Sequence, residues 1–246
     1  MKRVMLTVAY DGTNYHGWQL QPNVPTIESV LNEKLSGLLK EEIKVIGASR
    51  TDTGVHALGN IAVFDTTARM PADKISYALN QRLPADIRIQ SSCEVAQDFH
   101  PRHQTSKKTY EYKILNSAFP IPVYRLYTHF TYVPLDVAKM QKAAAHLVGE
   151  HDFKSFCSVN TTVETTVRTI YELTVEKSQD IITIRVTGSG FLYNMVRIIA
   201  GTLIEAGRGS LHPDAMPDIL NACDRAKAGP TAPACGLTLV KYEFFV

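Results

Sequence analysis

Apolar side chains in the first hundred residues follow a strand spacing in some stretches and a helical spacing in others. The strand spacing predicts strands over 4–10, 43–47 and 60–65, and a fourth strand near 87–95. The helical spacing predicts one helix over 26–39, capped by Thr26, and another over 72–82 that ends before Pro84. The predicted order is strand, helix, strand, strand, helix, strand.

The second half of the chain repeats that order. We predict a strand over 108–115, a helix over 135–147, strands over 169–176 and 181–187, a helix over 191–206, a short helix near 218–224, and a strand over 237–245. Two copies of this order predict an α+β fold of duplicated ferredoxin-like βαββαβ halves, whose antiparallel sheets form a central cleft. We place the halves at 1–100 and 101–246.

Composition narrows the classes of protein that fit. Of the 246 residues, 45% are hydrophobic and 20% are charged, and no apolar run reaches the length of a membrane span. The N-terminus has no signal-peptide cleavage pattern, so we expect a cytoplasmic location. The four cysteines are widely scattered and contain no Cys-x-x-Cys pair, so the spacing disfavours a zinc or thioredoxin-type site.

Net charge is only +2, but one stretch concentrates basic groups. It could be a solvated linker or a surface that contacts phosphates. Its members are His100, Arg102, His103, Lys107, Lys108 and Lys113.

Residues 48–57 carry more reactive groups than a turn between two strands requires. Asp52 stands between Arg50 and Gly54, where Asp-Gly alone would make the turn. Such a connection is a frequent location of catalytic residues, although a carboxylate that only caps the turn is an alternative.

Aspartic proteases also use Asp-Thr-Gly, but they need two carboxylates that share a proton. The sequence has no second such motif, and Arg50 would hold the acid ionised.

The predicted helix over 191–206 is apolar nearly all round, which indicates that it is buried. Arg197 lies in its middle, and a buried guanidinium is costly unless a carboxylate pairs with it. Asp52 is the best candidate for that partner. The alternative is that the long stem of Arg197 reaches the helix end or the surface.

Tyr110 lies on the predicted strand over 108–115, next to Lys107 and Lys108. An aromatic side chain beside basic groups on a strand is a way in which sheets stack nucleic-acid bases; a core tyrosine is the alternative. No complete dinucleotide-binding, P-loop or metal-ligand pattern is present, so we expect no metal and no nucleotide cofactor.

Several ordered motifs make the sequence resemble the family of tRNA pseudouridine synthases that act on nucleotides 38–40 of the anticodon stem-loop. The likeness extends over nearly the whole chain. Its motifs lie at 10–19, 50–57 (RTDTGVHA), 99–102, 108–112, 191–201 and 229–237. The sequence departs from the usual family pattern at Ser49 and Thr53, where glycine and alanine are more common, and at Lys107 or Lys108, where arginine is usual.

The resemblance implies roles for the candidate residues. Asp52 is the catalytic aspartate, Arg197 its basic partner, Tyr110 the residue against the target base, and Arg50 a group that helps to displace that base. The family is free of cofactors and homodimeric, and its substrate is tRNA. A pseudouridine synthase with a different RNA target and a non-catalytic RNA-binding protein of the same fold are the alternatives.

Overall fold

The computed structural model describes residues 1–158 and 163–245. They form two compact units. The first comprises Met1–Ser106 together with the chain from Leu239 onward, and the second comprises Lys107–Thr238.

The first unit has the predicted split βαβ arrangement. Its elements are β1 (Lys2–Tyr10), α1 (Ile27–Leu39), β2 (Ile46–Gly47), β3 (His56–Thr66), α2 (Ala72–Asn80) and β4 (Ile87–Val95). β1 lies between β4 and β3, and β2 pairs with β3; all three pairings are antiparallel. This strand order is that of a ferredoxin-like fold, so the sequence prediction is confirmed for this unit.

Alternation and capping explain why the first elements are predictable. Alternate side chains of β1 from Val4 to Tyr10 are buried, which is the pattern of a strand with one face on a core. The Oγ1 atom of Thr26 accepts a hydrogen bond from the Ser29 amide at 3.1 Å, and the Ser29 hydroxyl accepts one from the Thr26 amide at 3.0 Å. This reciprocal pair satisfies two donors at the start of α1.

β2 is shorter than the strand predicted over 43–47. Ile43 and Val45 are buried as a strand pattern requires, but their amides bond to side chains of α1. The Ile43 amide donates to Ser36 Oγ at 2.9 Å, and the Val45 amide donates to Asn32 Oδ1 at 2.8 Å. Helix side chains therefore replace a neighbouring strand along this segment.

A bidentate ion pair joins β1 to β3. Arg3 donates from Nε to Asp65 Oδ1 at 2.8 Å and from Nη2 to Oδ2 at 2.7 Å, and its Nη1 donates to the Phe99 carbonyl at 2.9 Å. These hydrogen bonds hold the pKa of the Asp65 carboxyl below its ordinary value. The folded state is therefore stabilised above the ordinary carboxyl pKa, and that stabilisation is lost as the pH falls through the lowered pKa.

We expect Asp65→Asn to lower the free energy of unfolding near neutral pH by about 1 kcal/mol, because the pair is partly exposed and solvent screens it. The difference from wild type should shrink as the pH falls below about 4. Urea unfolding at several pH values measures both effects. Asp180→Asn, at an exposed position outside the helices and strands, is the control, and a pH-independent difference for Asp65→Asn would contradict the prediction.

The second unit is built on an antiparallel sheet with the strand order β5-β9-β8-β7. Its elements are β5 (Ser106–Asn116), β6 (His129–Thr131), α3 (Val137–Ala145), β7 (Gly149–Asp152), β8 (Val167–Ser178), β9 (Ile181–Gly188), α4 (Met195–Arg208) and α5 (Met216–Ala222). The short strand β6 pairs with β5 in parallel, which the sequence did not predict. The final strand, β10 (Leu237–Phe244), lies next to β3 in the first unit.

The helix predicted over 191–206 begins four residues later, at Met195. Asn194 precedes it in the left-handed backbone conformation, with φ at 60°, and this conformation interrupts the helical path. Arg197 therefore lies in the first turn of α4 and is half-buried, whereas the sequence placed it in the middle of a buried helix. The rest of the helix is buried along most of its length, as predicted.

None of the helices in residues 1–158 and 163–245 combines the length and the hydropathy needed to cross a membrane.

Candidate active site

Asp52 lies half-buried on the loop that joins β2 to β3. Side chains of β1 and β3 form hydrogen bonds to residues of that loop. Asn60, fully buried on β3, bonds to Ser49 through both ends of its amide: Nδ2 donates to the Ser49 carbonyl at 2.9 Å and Oδ1 accepts from the Ser49 amide at 3.3 Å. The hydroxyl groups of Tyr10 and Thr51 are hydrogen-bonded at 2.7 Å. The residues around Asp52 are thus fixed by buried polar contacts to two strands.

The motif at 10–19 supplies the other support for this loop. The Trp18 amide donates to the Thr51 carbonyl at 3.0 Å, and the Gly54 amide donates to the Tyr15 carbonyl at 3.3 Å. Two sequence motifs that lie far apart in the chain therefore bond backbone to backbone around Asp52. Nothing in the pattern of residue types indicates this pairing.

Gly12 makes the closest approach to the loop. A Cβ atom at this position would lie 2.0 Å from the Val55 carbonyl oxygen. The Gly12 amide donates to Nδ1 of His56 at 3.0 Å, and the Val55 amide closes the turn by donating to the Asp52 carbonyl at 3.1 Å. His56, for which the sequence offered no metal-ligand partner, is hydrogen-bonded to the segment that braces the Asp52 loop.

Arg50 is exposed on the same loop, two residues before Asp52. Arg102 is near it: Nε of Arg102 donates to the Gly47 carbonyl at 2.8 Å, and burial together with the positive charge of Arg50 lowers the pKa of the Arg102 guanidinium. The rings of His100 and His103 stack with their centroids 3.9 Å apart. Arg102, which the sequence placed in the basic stretch, therefore lies next to the end of β2 and close to Arg50.

Tyr110 lies on β5 in the second unit, opposite Val186 of β9. Its side chain is 7% exposed, and its ring meets that of Phe191 edge to face at a centroid distance of 5.3 Å. Tyr112 and Ile114 are buried on the same face of the strand. The segment before α4 therefore packs directly on the candidate tyrosine.

Lys107 and Lys108 are half-buried at the start of β5. On the opposite face to Tyr110, Glu111 forms an ion pair with Arg185 of the neighbouring strand. The strand begins at Ser106, two residues before the predicted start at 108, so Lys107 lies on the same strand as Lys108 and Tyr110.

Arg197 donates hydrogen bonds to a backbone carbonyl and to a side-chain amide of the second unit. Its Nε donates to the Ala232 carbonyl at 2.8 Å, and its Nη1 donates to Oδ1 of Asn194 at 2.8 Å. The Ala232 amide in turn donates to the Arg197 carbonyl at 3.1 Å. The guanidinium is therefore oriented by a backbone group and by a side-chain amide.

Residues 229–236, which we call the strap, form the segment that carries Ala232. The Gly229 amide donates to Thr202 Oγ1 of α4 at 2.9 Å, and the Tyr112 hydroxyl donates to the Pro233 carbonyl at 2.9 Å. Burial raises the pKa of the Tyr112 phenol, so this group stays protonated and remains a donor. The strap thereby connects α4 to the strand that carries Tyr110.

Within the described parts of the chain, no group of three or more histidine, cysteine, aspartate or glutamate side chains is arranged to hold a metal ion.

Comparison with known proteins assigns the family. A family model described as tRNA pseudouridine synthase matches residues 6–104 and 143–244. A relative from Thermoanaerobacter sp. (strain X514) named tRNA pseudouridine synthase A is 48% identical over 98% of this chain and 99% of its own length. One of the same name from Ruminiclostridium cellulolyticum is 50% identical over 99% of this chain and 100% of its own. The chain therefore belongs to the tRNA pseudouridine synthase family, whose members are isomerases.

Proposed function

We propose that this protein converts uridine to pseudouridine in the anticodon stem-loop of tRNA, at positions 38, 39 and 40. In this proposal it acts in the cytoplasm as a homodimer and requires no cofactor. The observation that carries the proposal is the Asp52 loop: the motif at 50–57 is fixed by the motif at 10–19, as a pre-organised carboxylate requires.

The reaction is an isomerisation that gains and loses no atoms overall. The bond between N1 of uracil and C1′ of ribose breaks, the base turns, and C5 bonds to C1′. The proton on C5 leaves and a proton is added at N1. Because the base must leave its stack to reach the enzyme, the site has to compensate for the unstacking energy.

Asp52 is the group to which we assign the chemistry. An ionised carboxylate can act as a nucleophile or as a base, and a nearby guanidinium favours the ionised form. We assign that role to Arg197, whose orientation is already fixed by Ala232 and Asn194.

Tyr110, Arg50 and the two lysines are assigned to substrate binding. Tyr110 offers a phenol held edge-on by Phe191, and we propose that it lies against the uracil and assists removal of the C5 proton. The exposed guanidinium of Arg50 is available to hold the base out of the stack. Lys107 and Lys108 are proposed to contact phosphates.

The test is to incubate the purified protein with unmodified tRNA and to analyse its nucleosides. We expect pseudouridine to form, and to disappear from each of positions 38, 39 and 40 when that uridine is replaced by cytidine. Pseudouridine elsewhere in the tRNA would indicate a different target, and binding without any pseudouridine would indicate a non-catalytic RNA-binding protein. Sedimentation of the free protein tests the homodimer.

Replacing both Lys107 and Lys108 by alanine should weaken tRNA binding. The slope of log K against log salt should also become shallower, by about one for each phosphate that the variant no longer neutralises. Affinities measured at several salt concentrations give this slope. Lys44→Ala is the control, because Lys44 is an exposed lysine of the first unit that pairs with Glu42. An unchanged slope in the double variant would place the phosphate-binding groups elsewhere.

A further inference from the structure

The turn that precedes α4 contains a side chain to which neither the sequence motifs nor the proposed chemistry gives a role. Asn194 is half-buried and adopts a left-handed backbone conformation, with φ at 60° and ψ at 6°. Its carbonyl accepts the hydrogen bond of the Ile198 amide at 2.9 Å, so the residue starts the helix while its own backbone departs from the helical path.

The conformation narrows the residue types that suit this position. Only glycine adopts it without steric cost, and asparagine tolerates it better than most other residues. Glycine would satisfy the backbone alone, so the presence of an amide side chain here suggests a use for that amide.

The two partners of the amide determine its orientation. Nη1 of Arg197 can only donate, so the atom that it contacts at 2.8 Å is the amide oxygen. The amide nitrogen then points to Oγ of Ser158, to which it donates at 2.8 Å. The Ser158 amide donates to the Tyr193 carbonyl at 3.2 Å, so this partner is itself tied to the turn.

The fixed Asn194 amide helps to orient the guanidinium of Arg197. The Ala232 carbonyl holds Nε, and Asn194 holds Nη1, so two acceptors at separate nitrogens set the plane of the guanidinium. The first acceptor is a backbone group of the strap and the second is a side chain. An arginine stem has several rotatable bonds, so removal of the Asn194 acceptor would leave the plane less tightly fixed.

We propose that Asn194 is a positioning residue that orients the guanidinium of Arg197 for the isomerisation. This inference rests on the proposed function. It predicts that loss of the amide slows the chemical step without weakening the binding of tRNA.

The decisive variant is Asn194→Gly, which suits the left-handed backbone and removes the amide together with its Cβ. We expect kcat to fall about 10- to 100-fold, the effect typical of a misplaced catalytic group, while KM for tRNA changes by less than about twofold. Asn23→Gly is the matched control: Asn23 is exposed and also left-handed, with φ at 63°, and this variant should retain the wild-type kcat.

Asn194→Asp tests whether Asn194 acts by orienting the Arg197 guanidinium or only by stabilising the turn. It keeps an oxygen acceptor for Arg197, and its second oxygen can accept from the Ser158 hydroxyl, so its kcat should exceed that of Asn194→Gly at least about fivefold. The thermal midpoints of all three variants should stay close to that of the wild type.

The outcomes separate this inference from the function on which it rests. A wild-type protein that forms no pseudouridine in any tRNA overturns the proposed function, and this inference with it. An active wild type with an equally active Asn194→Gly overturns the inference alone. Equal losses of activity in the glycine and aspartate variants, with lowered thermal midpoints, would indicate a structural role and would also overturn it.

Discussion

Asp52→Asn should abolish pseudouridine formation, lowering kcat by at least about a thousandfold, because an amide can serve neither as nucleophile nor as base. The affinity for tRNA should stay within about threefold of the wild type, since phosphate contacts dominate the binding of nucleic acids. The loop itself should persist, because the contacts made by Thr51, Ser49 and the backbone remain in the variant.

Release of tritium from uracil labelled at C5 measures turnover, and a filter-binding assay measures affinity. Asp180→Asn, which changes an exposed carboxylate in the turn between β8 and β9, is the matched control and should be fully active. Substantial turnover by Asp52→Asn would overturn the assignment of the catalytic carboxylate.

Gly12→Ala should damage both activity and stability, although it adds only one methyl group. The new Cβ would lie 2.0 Å from the Val55 carbonyl oxygen and 2.7 Å from its carbon, and both atoms belong to the backbone. The loop has to shift, which would carry Asp52 with it and break the bond from the Gly12 amide to His56. We expect kcat to fall about 100-fold and the free energy of unfolding to fall by about 1 to 3 kcal/mol.

The matched control is Gly37→Ala in α1, where no atom outside the adjacent residues and the helix's own backbone lies within 4 Å of the added Cβ. This variant should keep full activity and gain up to about 1 kcal/mol of stability, because alanine is the better helix former. Turnover assays and urea unfolding of both variants test the pair. A Gly12→Ala protein with wild-type kcat would mean that the loop tolerates displacement.

Local signals explain how much of the fold the sequence predicts. The alternation in β1 and the capping pair at Thr26 and Ser29 act within a few residues, so the sequence predicts both elements nearly to their ends. β7, whose sequence is Gly-Glu-His-Asp, has no apolar alternation and exists because it pairs with β8, so the sequence does not predict it. The sequence also predicts too early a start for α4. No glycine or proline stands at 194 to indicate that the backbone there is left-handed and that the helix begins only after it.

In the candidate site, too, the sequence indicates features that depend on residue type but not those that depend on contacts between distant segments. The sequence makes Asp52 and Arg50 candidates because their residue types exceed what a turn needs. The supports of the site cannot, because they join backbone groups distant in sequence, as between Trp18 and Thr51 or between Ala232 and Arg197. A hydrogen bond between backbone atoms leaves no preference for residue type, so a single sequence does not reveal it.

The contact between the strap and α4 also bears on how this part of the protein opens. A Cβ atom at Gly201 would lie 1.8 Å from the Pro230 carbonyl oxygen, so helix and strap touch with no side chain between them. The Gly229 and Ala232 amides donate to Thr202 Oγ1 and to the Arg197 carbonyl. The two segments should therefore unfold as one cooperative unit. We expect the Gly229 and Ala232 amides, which lie outside any helix or strand, to exchange hydrogen for deuterium as slowly as the amides in the interior of α4.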